Sequence, residues 1–202
     1  MRGKINICQP GYGASCALCC GSHNFTGGRE AMRSEFVRRS PLPEDFRPED
    51  AAASARTRTG DPDRRHTGQA LHDDAIACPH VGFLDREQTL IGCLIYDLSH
   101  KPGASGEFFE ATCRRFSCLA RERLDDSEVL FAARLLGDWY YYGLLINSIQ
   151  ILRELIRAYT VPENVPASVL QALKGGLEAM LEHDESTPRT PLWAAASLPE
   201  HD

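Results

Sequence analysis

The alternation of apolar and polar residues predicts a mainly helical chain. Apolar residues recur at helical spacing in three stretches, 29–38, 125–159 and 167–182. Residues 90–96 are instead β-branched and aromatic between polar neighbours, which is typical of a strand, and residues 4–8 alternate like a shorter one. We therefore expect a mainly α fold with a small β element.

The stretch from Asp125 to Tyr159 is the longest predicted helix. It starts at an acidic N-cap sequence, and its apolar residues form two stripes, so we expect it to be central and packed on both sides. The aromatic run from Trp139 to Tyr142 lies within it. Such a run can line a substrate pocket, but it is more typical of a core with one exposed ring.

The remaining segments have fewer residues that could be buried. Residues 40–74 are rich in proline, alanine and interleaved charges, so we interpret them as an exposed insertion loop. Residues 183–202 contain prolines and no periodicity, which indicates a flexible tail. The rest, residues 1–182, is long enough for one ordinary domain.

Composition and charge narrow the function classes. The hydrophobic content of 43% supports a real core without disulfides, and the net charge of −6 argues against general binding to nucleic acid or anionic membranes. The longest uncharged apolar run, residues 139–152, is shorter than the roughly 20 residues of a membrane span. No apolar export signal follows Met1, so we expect a reducing cytoplasm, where cysteines are more often metal-binding or catalytic than disulfide-bonded.

The eight cysteines are too clustered along residues 8–118 to be only small buried hydrophobes. Cys16 and Cys19 have the spacing with which one loop places two sulfurs on a metal, and adjacent Cys20 can join them only if the backbone turns there. Cys113 and Cys118 are about 140° apart on an ideal helix, so sharing a metal requires a break between them. The predicted metal ligands are Cys16, Cys19, Cys20, Cys93, Cys113 and Cys118, with Cys78 and Cys8 as weaker candidates.

Other motifs leave the type of metal open. The chain lacks the cysteine runs of radical enzymes and bacterial ferredoxins and the paired Cys-x-x-Cys motifs of a zinc ribbon. His23 and His80 each follow a cysteine closely and could be ligands, His23 more readily, but both are more typical of loop histidines bonded to water or backbone. No catalytic triad, carboxylate pair or phosphate loop is present, so whether the protein is an enzyme stays open.

The ordered cysteine motifs resemble a known family. Cys16-Ala-Leu-Cys19-Cys20, Cys78 before Phe83-Leu84-Asp85, Cys93-Leu-Ile-Tyr96 and Cys113-Arg-Arg-Phe116 with Cys118 are similar to the YkgJ-like cysteine-cluster family, described as zinc- or iron-chelating. The match covers residues 8–118. It departs from the family pattern at the insertion 97–112 and in the distance from Cys78 to Phe83. The resemblance implies a chelated metal, and one branch is similar to flagellin lysine methylases that carry an iron–sulfur cluster.

We therefore expect a metal-binding cysteine-cluster protein, a single domain organised around a cysteine-ligated site. The first hypothesis is an iron–sulfur cluster of the 4Fe–4S type. It would be held by the N-terminal knuckle, Cys16 to Cys20, and by the 93–118 segment. The alternatives are a zinc-stabilised interaction module, or a cluster-dependent enzyme that acts on a protein or peptide as the methylase branch does. We expect no nucleic-acid or membrane partner.

Overall fold

The computed structural model describes residues 5–40, 71, 78, 80–94 and 118–181. The chain forms two compact units. The helical unit comprises residues 1–16 and 118–202, and the hairpin unit comprises residues 17–117. The described residues are mainly helical with a small antiparallel sheet, which confirms the prediction of a mainly α fold with a small β element.

The helices and strands among the described residues are short. The helices are α1 (Gly28–Arg39), α2 (Leu119–Arg123), α3 (Asp126–Leu136), α4 (Tyr140–Asn147), α5 (Ile149–Tyr159) and α6 (Ala167–Ala179). The strands are β1 (Val81–Phe83) and β2 (Ile91–Cys93), and two 3-10 turns cover Leu18–Cys20 and Pro162–Asn164. No helix in these ranges is both long and apolar enough to cross a membrane.

The prediction of one long helix from 125 to 159 is wrong, because the chain breaks twice. The first break is at Gly137, which ends α3 in the left-handed conformation with φ 39°. The second is at Ser148, whose ψ of 62° separates α4 from α5. Apolar periodicity does not reveal such single-residue breaks, because the same stripes resume after each one. A glycine followed by Asp138, whose carboxylate accepts a hydrogen bond from Tyr141 N at 2.7 Å, is the sequence signal for the first break.

The two-sided packing predicted for this stretch is confirmed in α4. Its residues from Tyr140 to Ile146 are all buried, and it packs against α2, α3, α5 and α6. The expectation of one exposed ring is wrong, since Trp139, Tyr140, Tyr141 and Tyr142 are all at most 9% exposed. The predicted acidic N-cap is also confirmed. The Asp125 carboxylate accepts from Ser127 N and Glu128 N, and the Glu128 carboxylate accepts from Asp125 N, which completes a capping box.

The N-terminal segment of the helical unit is not the short strand predicted over 4–8, because residues 5–8 have no strand pairing. Single hydrogen bonds hold this segment instead. Ile5 N donates to the Asp126 carboxylate at 3.1 Å, and the buried Tyr142 hydroxyl donates to Ile7 O at 2.8 Å. Alternating apolar residues form a strand only where a partner strand is available. Here the segment bonds instead to residues of α3 and α4.

The hairpin unit contains α1, β1 and β2. The predicted helix over 29–38 is confirmed, and the predicted strand is confirmed at Ile91–Cys93, with residues 95 and 96 outside the described residues. β1 and β2 pair antiparallel, with Val81 opposite Cys93 and Phe83 opposite Ile91. Edge-to-face ring contacts from Phe25 to Phe36 and from Phe36 to Phe83 join α1 to this hairpin.

Two sets of side-chain hydrogen bonds fix the hairpin and its attachment to α1. The Asp85 carboxylate accepts hydrogen bonds from Thr89 N and Leu90 N, which fixes the turn between the strands. Ser40, at the end of α1, donates from its hydroxyl to Phe36 O and accepts from Phe83 N, so one side chain links the helix to β1. The hairpin is therefore held to α1 by both rings and hydrogen bonds.

Several predictions fall on residues that the structure does not describe. The insertion loop lies at 40–74, of which only Ser40 and Leu71 are described, and the tail lies wholly outside. The break expected between Cys113 and Cys118 also lies outside the described residues, which resume at Cys118. These stay predictions.

Candidate metal-binding thiolates

The described cysteines are divided between the two units. The hairpin unit contains Cys19, Cys20, Cys78 and Cys93, and the helical unit contains Cys8, Cys16 and Cys118. No disulfide links any two of these seven residues. Cys113 lies outside the described residues. The sequence predicts one site, whereas the described cysteines fall into two groups, one in each unit.

The Cys19–Cys20 knuckle is built by a tight turn. Residues 18–20 form a 3-10 turn that Gly21 closes in the left-handed conformation, with its N–H donating to Leu18 O at 2.8 Å. The Cys19 and Cys20 sulfurs are 4.0 Å apart as a result. The condition set by the sequence for Cys20 to join Cys19, a turn of the backbone between them, is met.

The hairpin supplies the other two cysteines of this group. Cys78 N donates to Cys20 O at 2.9 Å, so the buried Cys78 adjoins the knuckle directly. Cys93 lies opposite Val81 in the sheet, and Leu94 N donates to His80 O at 2.8 Å just beyond it. The cysteine that the sequence ranks as doubtful, Cys78, is thus tied to the knuckle by the main chain.

The ionisation of the knuckle sulfurs reflects this grouping. The hydrogen bond from the Cys20 thiol lowers the pKa of Cys19, against the opposing effect of burial. The same hydrogen bond raises the pKa of Cys20, and burial and the negative charges of Cys19, Cys78 and Cys93 raise it further. The four sulfurs are therefore close enough to influence one another electrostatically.

A buried cation lies beside this group. Arg39 is buried, donates to Cys78 O at 2.9 Å and forms an ion pair with the buried Glu35 at 2.7 Å. Burial lowers the pKa of Arg39, while Glu35 and Cys78 act against that shift. Glu35 is shared with Arg38, at 2.5 Å, so two guanidinium groups face one carboxylate. The local excess of positive charge suits neighbouring thiolates.

Sequence reasoning missed this charged pair. The signal was available in α1, where Glu35 precedes Arg38 and Arg39 by three and four residues, the spacing at which helical side chains meet. The contact with Cys78 could not be found in this way, because it joins residues far apart in the sequence.

The sequence suggests His23 as a ligand more readily than His80, and the contacts of these two described histidines of the hairpin unit reverse that order. His23 is buried, and its Nδ1 is hydrogen-bonded to Ser22 Oγ at 2.8 Å. His80 is also buried, at 6% exposed, yet no hydrogen bond reaches its imidazole from any residue that the structure describes. Burial, with the nearby charge of Arg39, lowers the pKa of His80 and favours its neutral form.

The cysteines of the helical unit lie near residues of α4. Cys16 N donates to Cys8 O at 3.0 Å, and Asn147 Nδ2 contacts Cys16 Sγ at 3.9 Å while also donating to Gly143 O. Burial raises the pKa of Tyr142, and the negative charges of Cys16, Cys8 and Cys118 add to that shift. Cys118 itself is extended and immediately precedes α2. This second group is coupled to Tyr142.

The donor chemistry of the hairpin-unit group fits a soft or borderline metal. Cys20 is influenced electrostatically by Cys19, Cys78 and Cys93. The 4.0 Å between the knuckle sulfurs is close to the spacing of about 3.8 Å expected around a tetrahedral ion with metal–sulfur bonds of about 2.3 Å. Within the described ranges, however, no three Cys, His, Asp or Glu side chains already form a metal-holding group. The structure thus shows the donor set, and not a fully assembled site.

Comparison of the chain with protein-family models, with curated proteins and with solved structures finds no match. The resemblance to the YkgJ-like cysteine-cluster family therefore stays a prediction, carried by the motif residues alone. The functional argument depends on the side chains described above.

Proposed function

We propose that this chain is a metal-binding protein whose cysteine thiolates hold a soft or borderline metal, with an iron–sulfur cluster as the first candidate. The observation that carries the proposal is the convergence of the knuckle and the hairpin, through the hydrogen bond from Cys78 N to Cys20 O. It brings two sequence-distant cysteine motifs to one place. Cysteines that were only small core residues would have no need of this grouping.

The surrounding charge supports the same proposal. A metal held by four thiolates carries net negative charge whether it is zinc or an iron–sulfur cluster, so a buried site needs a cation nearby. Arg39 provides one, since it is buried against the Phe25 ring and donates to the carbonyl of Cys78. Its guanidinium both fixes the Cys78 main chain and offsets the thiolate charge.

Main-chain contacts of the hairpin unit help to position the donors. Gly21 turns the knuckle so that Cys19 and Cys20 stay together, and the pairing of Val81 with Cys93 fixes the end of β2. When bound, an iron–sulfur cluster supplies one-electron transfer or a structural cross-link. The residues of this chain hold it, exclude water and balance its charge.

A zinc ion is the second candidate, and His80 is the observation that favours it. Structural zinc sites combine cysteine with histidine, and a neutral imidazole is the form that binds metal. His80 is buried and lies two residues after Cys78. In this case the protein is a zinc-stabilised interaction module.

Anaerobic purification of the full chain, with metal and sulfide analysis and a visible spectrum, tests the proposal. Brown protein that bleaches on reduction and contains iron and sulfide supports the cluster, and colourless protein with stoichiometric zinc supports the second candidate. Folded protein that holds neither metal contradicts both.

Two serine variants locate the site. Cys78→Ser removes a buried sulfur of the hairpin unit, and we expect it to lose most of the bound metal. Cys8→Ser changes an exposed residue of the other group and is the matched control. Equal metal content in the two variants and the wild type would place the site away from the hairpin unit.

A further inference from the structure

The imidazole of His80 is buried but has no hydrogen-bond partner among the described residues. A buried polar group without a hydrogen bond destabilises a fold by about 1–3 kcal/mol, so native structures nearly always satisfy it. His80 is 6% exposed, and no described residue makes a hydrogen bond to its ring. Something that is not part of the described chain is needed to satisfy one of its nitrogens.

Hydrogen bonds fix the main chain on both sides of His80, and this holds its ring in the buried position. Leu94 N donates to His80 O at 2.8 Å, and Arg39 Nη1 lies 2.9 Å from Cys78 O on one side and 3.5 Å from Val81 O on the other. His80 thus occupies a braced position between Cys78 and the strand that pairs with Cys93. It belongs to the same neighbourhood as the sulfur donors.

The identity of the neighbours selects the kind of partner. Arg39 is a cation, so an ammonium or another positively charged organic group is disfavoured beside His80. Thiolates from the knuckle and the hairpin offset that charge and attract a metal ion. Imidazole nitrogen and thiolate sulfur together are the usual donors for zinc, and they also occur in mixed histidine–cysteine iron–sulfur centres.

We propose that the imidazole of His80 is a nitrogen ligand of the metal held by the cysteines of the hairpin unit. The inference rests on the proposed function and extends it, because it replaces an all-sulfur donor set with a mixed one. It also reverses the order suggested by spacing, since His23 is closer to the knuckle in sequence but is already bonded to Ser22. A mixed set favours zinc over an all-cysteine cluster.

The test uses the full chain loaded with zinc and compares His80→Gln with His23→Gln. His23 is the matched control, because it is an equally buried histidine of the same unit whose ring has a protein partner. X-ray absorption at the zinc edge reports imidazole ligands by their multiple scattering. We expect this signal in the wild type and in His23→Gln, and its loss in His80→Gln together with at least about a tenfold weaker zinc affinity.

Each outcome decides one claim. An all-sulfur zinc environment in the wild type, or an unchanged imidazole signal in His80→Gln, overturns the role of His80 and leaves the proposed function standing. A wild-type chain that binds no zinc and no iron overturns the proposed function itself. If His80→Gln does not fold, His80→Cys takes its place, because it keeps a metal-binding side chain but removes the imidazole. Loss of the imidazole signal from zinc-loaded His80→Cys supports the inference, and its retention overturns it.

If the purified chain holds an iron–sulfur cluster instead, the readout changes but the variants do not. Pulsed EPR of the reduced cluster then reports strong coupling to a ligand nitrogen. We expect that coupling in the wild type and in His23→Gln and its absence in His80→Gln. Its absence from the wild type overturns the inference while the cluster itself supports the proposed function.

Discussion

The two units of the chain are stabilised by different means. The helical unit has consecutive helices with buried apolar faces, a capping box at Asp125 and a fully buried α4. The hairpin unit has one helix and two strands of three residues among its described parts, and it buries Glu35 and Arg39 within its small core. Regular backbone structure dominates in the first unit, and side-chain contacts dominate in the second.

The difference indicates what a bound metal contributes. Two short strands are marginal alone, and a buried ion pair is weak evidence for stability because desolvation opposes its attraction. The hairpin unit also contains four of the seven described cysteines. A metal held by these thiolates would supply what its regular structure lacks, whereas the helical unit follows the ordinary rules of helix packing and capping.

Metal removal should produce the largest contrast between the units. Structural metal binding contributes about 10 kcal/mol or more of apparent free energy, which is comparable to the whole stability of a domain. We expect a chelator to abolish amide protection in α1, β1 and β2 while α3 to α5 keep theirs. Hydrogen exchange read by mass spectrometry measures this. Equal loss in both units, or no loss in either, would contradict the assignment of the metal to the hairpin unit.

Removal of the buried carboxylate should have the next largest effect. Glu35→Gln keeps the side-chain size but leaves the buried Arg39 without its ion-pair partner, a change that costs about 3–5 kcal/mol. The control is Glu163→Gln in the helical unit, whose partner Arg134 is exposed like Glu163 itself, and we expect a change of about 0.5 kcal/mol or less. Urea unfolding measures both. Similar losses for the two variants would show that the buried pair has no special role.

Two glycine substitutions should act in opposite directions. A Cβ on Gly82 would lie 2.6 Å from Ser40 Oγ, which its hydrogen bonds to Phe36 O and Phe83 N hold in place. We expect Gly82→Ala to lower the free energy of unfolding by about 1–3 kcal/mol.

Gly175→Ala is the counterpart in α6, where a new Cβ meets nothing within 4 Å. Alanine favours the helix over glycine, so we expect a gain of about 0.5–1 kcal/mol. Thermal unfolding of both variants measures the pair. Lower stability of Gly175→Ala, or unchanged stability of Gly82→Ala, would contradict the expectation that the space around each new Cβ decides the effect.

An effect as small as that of Gly175→Ala concerns the capping box and depends on pH. Asp125→Ala removes the acceptor for Ser127 N and Glu128 N and should cost about 1 kcal/mol at neutral pH. The hydrogen bond from Ser127 lowers the pKa of Asp125 in the folded state, so its contribution is present above the ordinary value of 3.8 and is lost as pH falls through the lowered folded-state value. Unfolding measured from pH 7 down to about pH 2 should show the wild type and variant converging. A difference that is constant with pH would rule out the carboxylate as the cause.

Sequence reasoning succeeded where the determinants are local. The helix over 29–38 and the N-cap at Asp125 each depend on residues within about one turn of one another. The break at Gly137 was also local, but it was hidden because the apolar stripes continue across it. Local signals therefore predict which elements exist better than where they end.

The candidate site was only partly predictable, because it depends on contacts between distant residues. The cysteine motifs are visible in the sequence, but the bond from Cys78 to Cys20 and the approach of Arg39 to Cys78 are not. The different situations of His23 and His80 cannot be read from spacing either. Burial and hydrogen bonding distinguish them, and both are properties of the folded hairpin unit.

The base of the 41–77 segment is closed by the fold itself. Arg39 donates to the carbonyl of Cys78, and Ser40 accepts from Phe83 N, so the described residues on either side of the 41–77 segment are held close together. The entropic contribution to the free energy of closing a loop becomes less favourable by only about 0.6 kcal/mol for each doubling of the loop's length. A change in the length of the chain between these two fixed ends should therefore leave the contacts of Arg39 and Ser40 in place, with the metal content as the check that the site is intact.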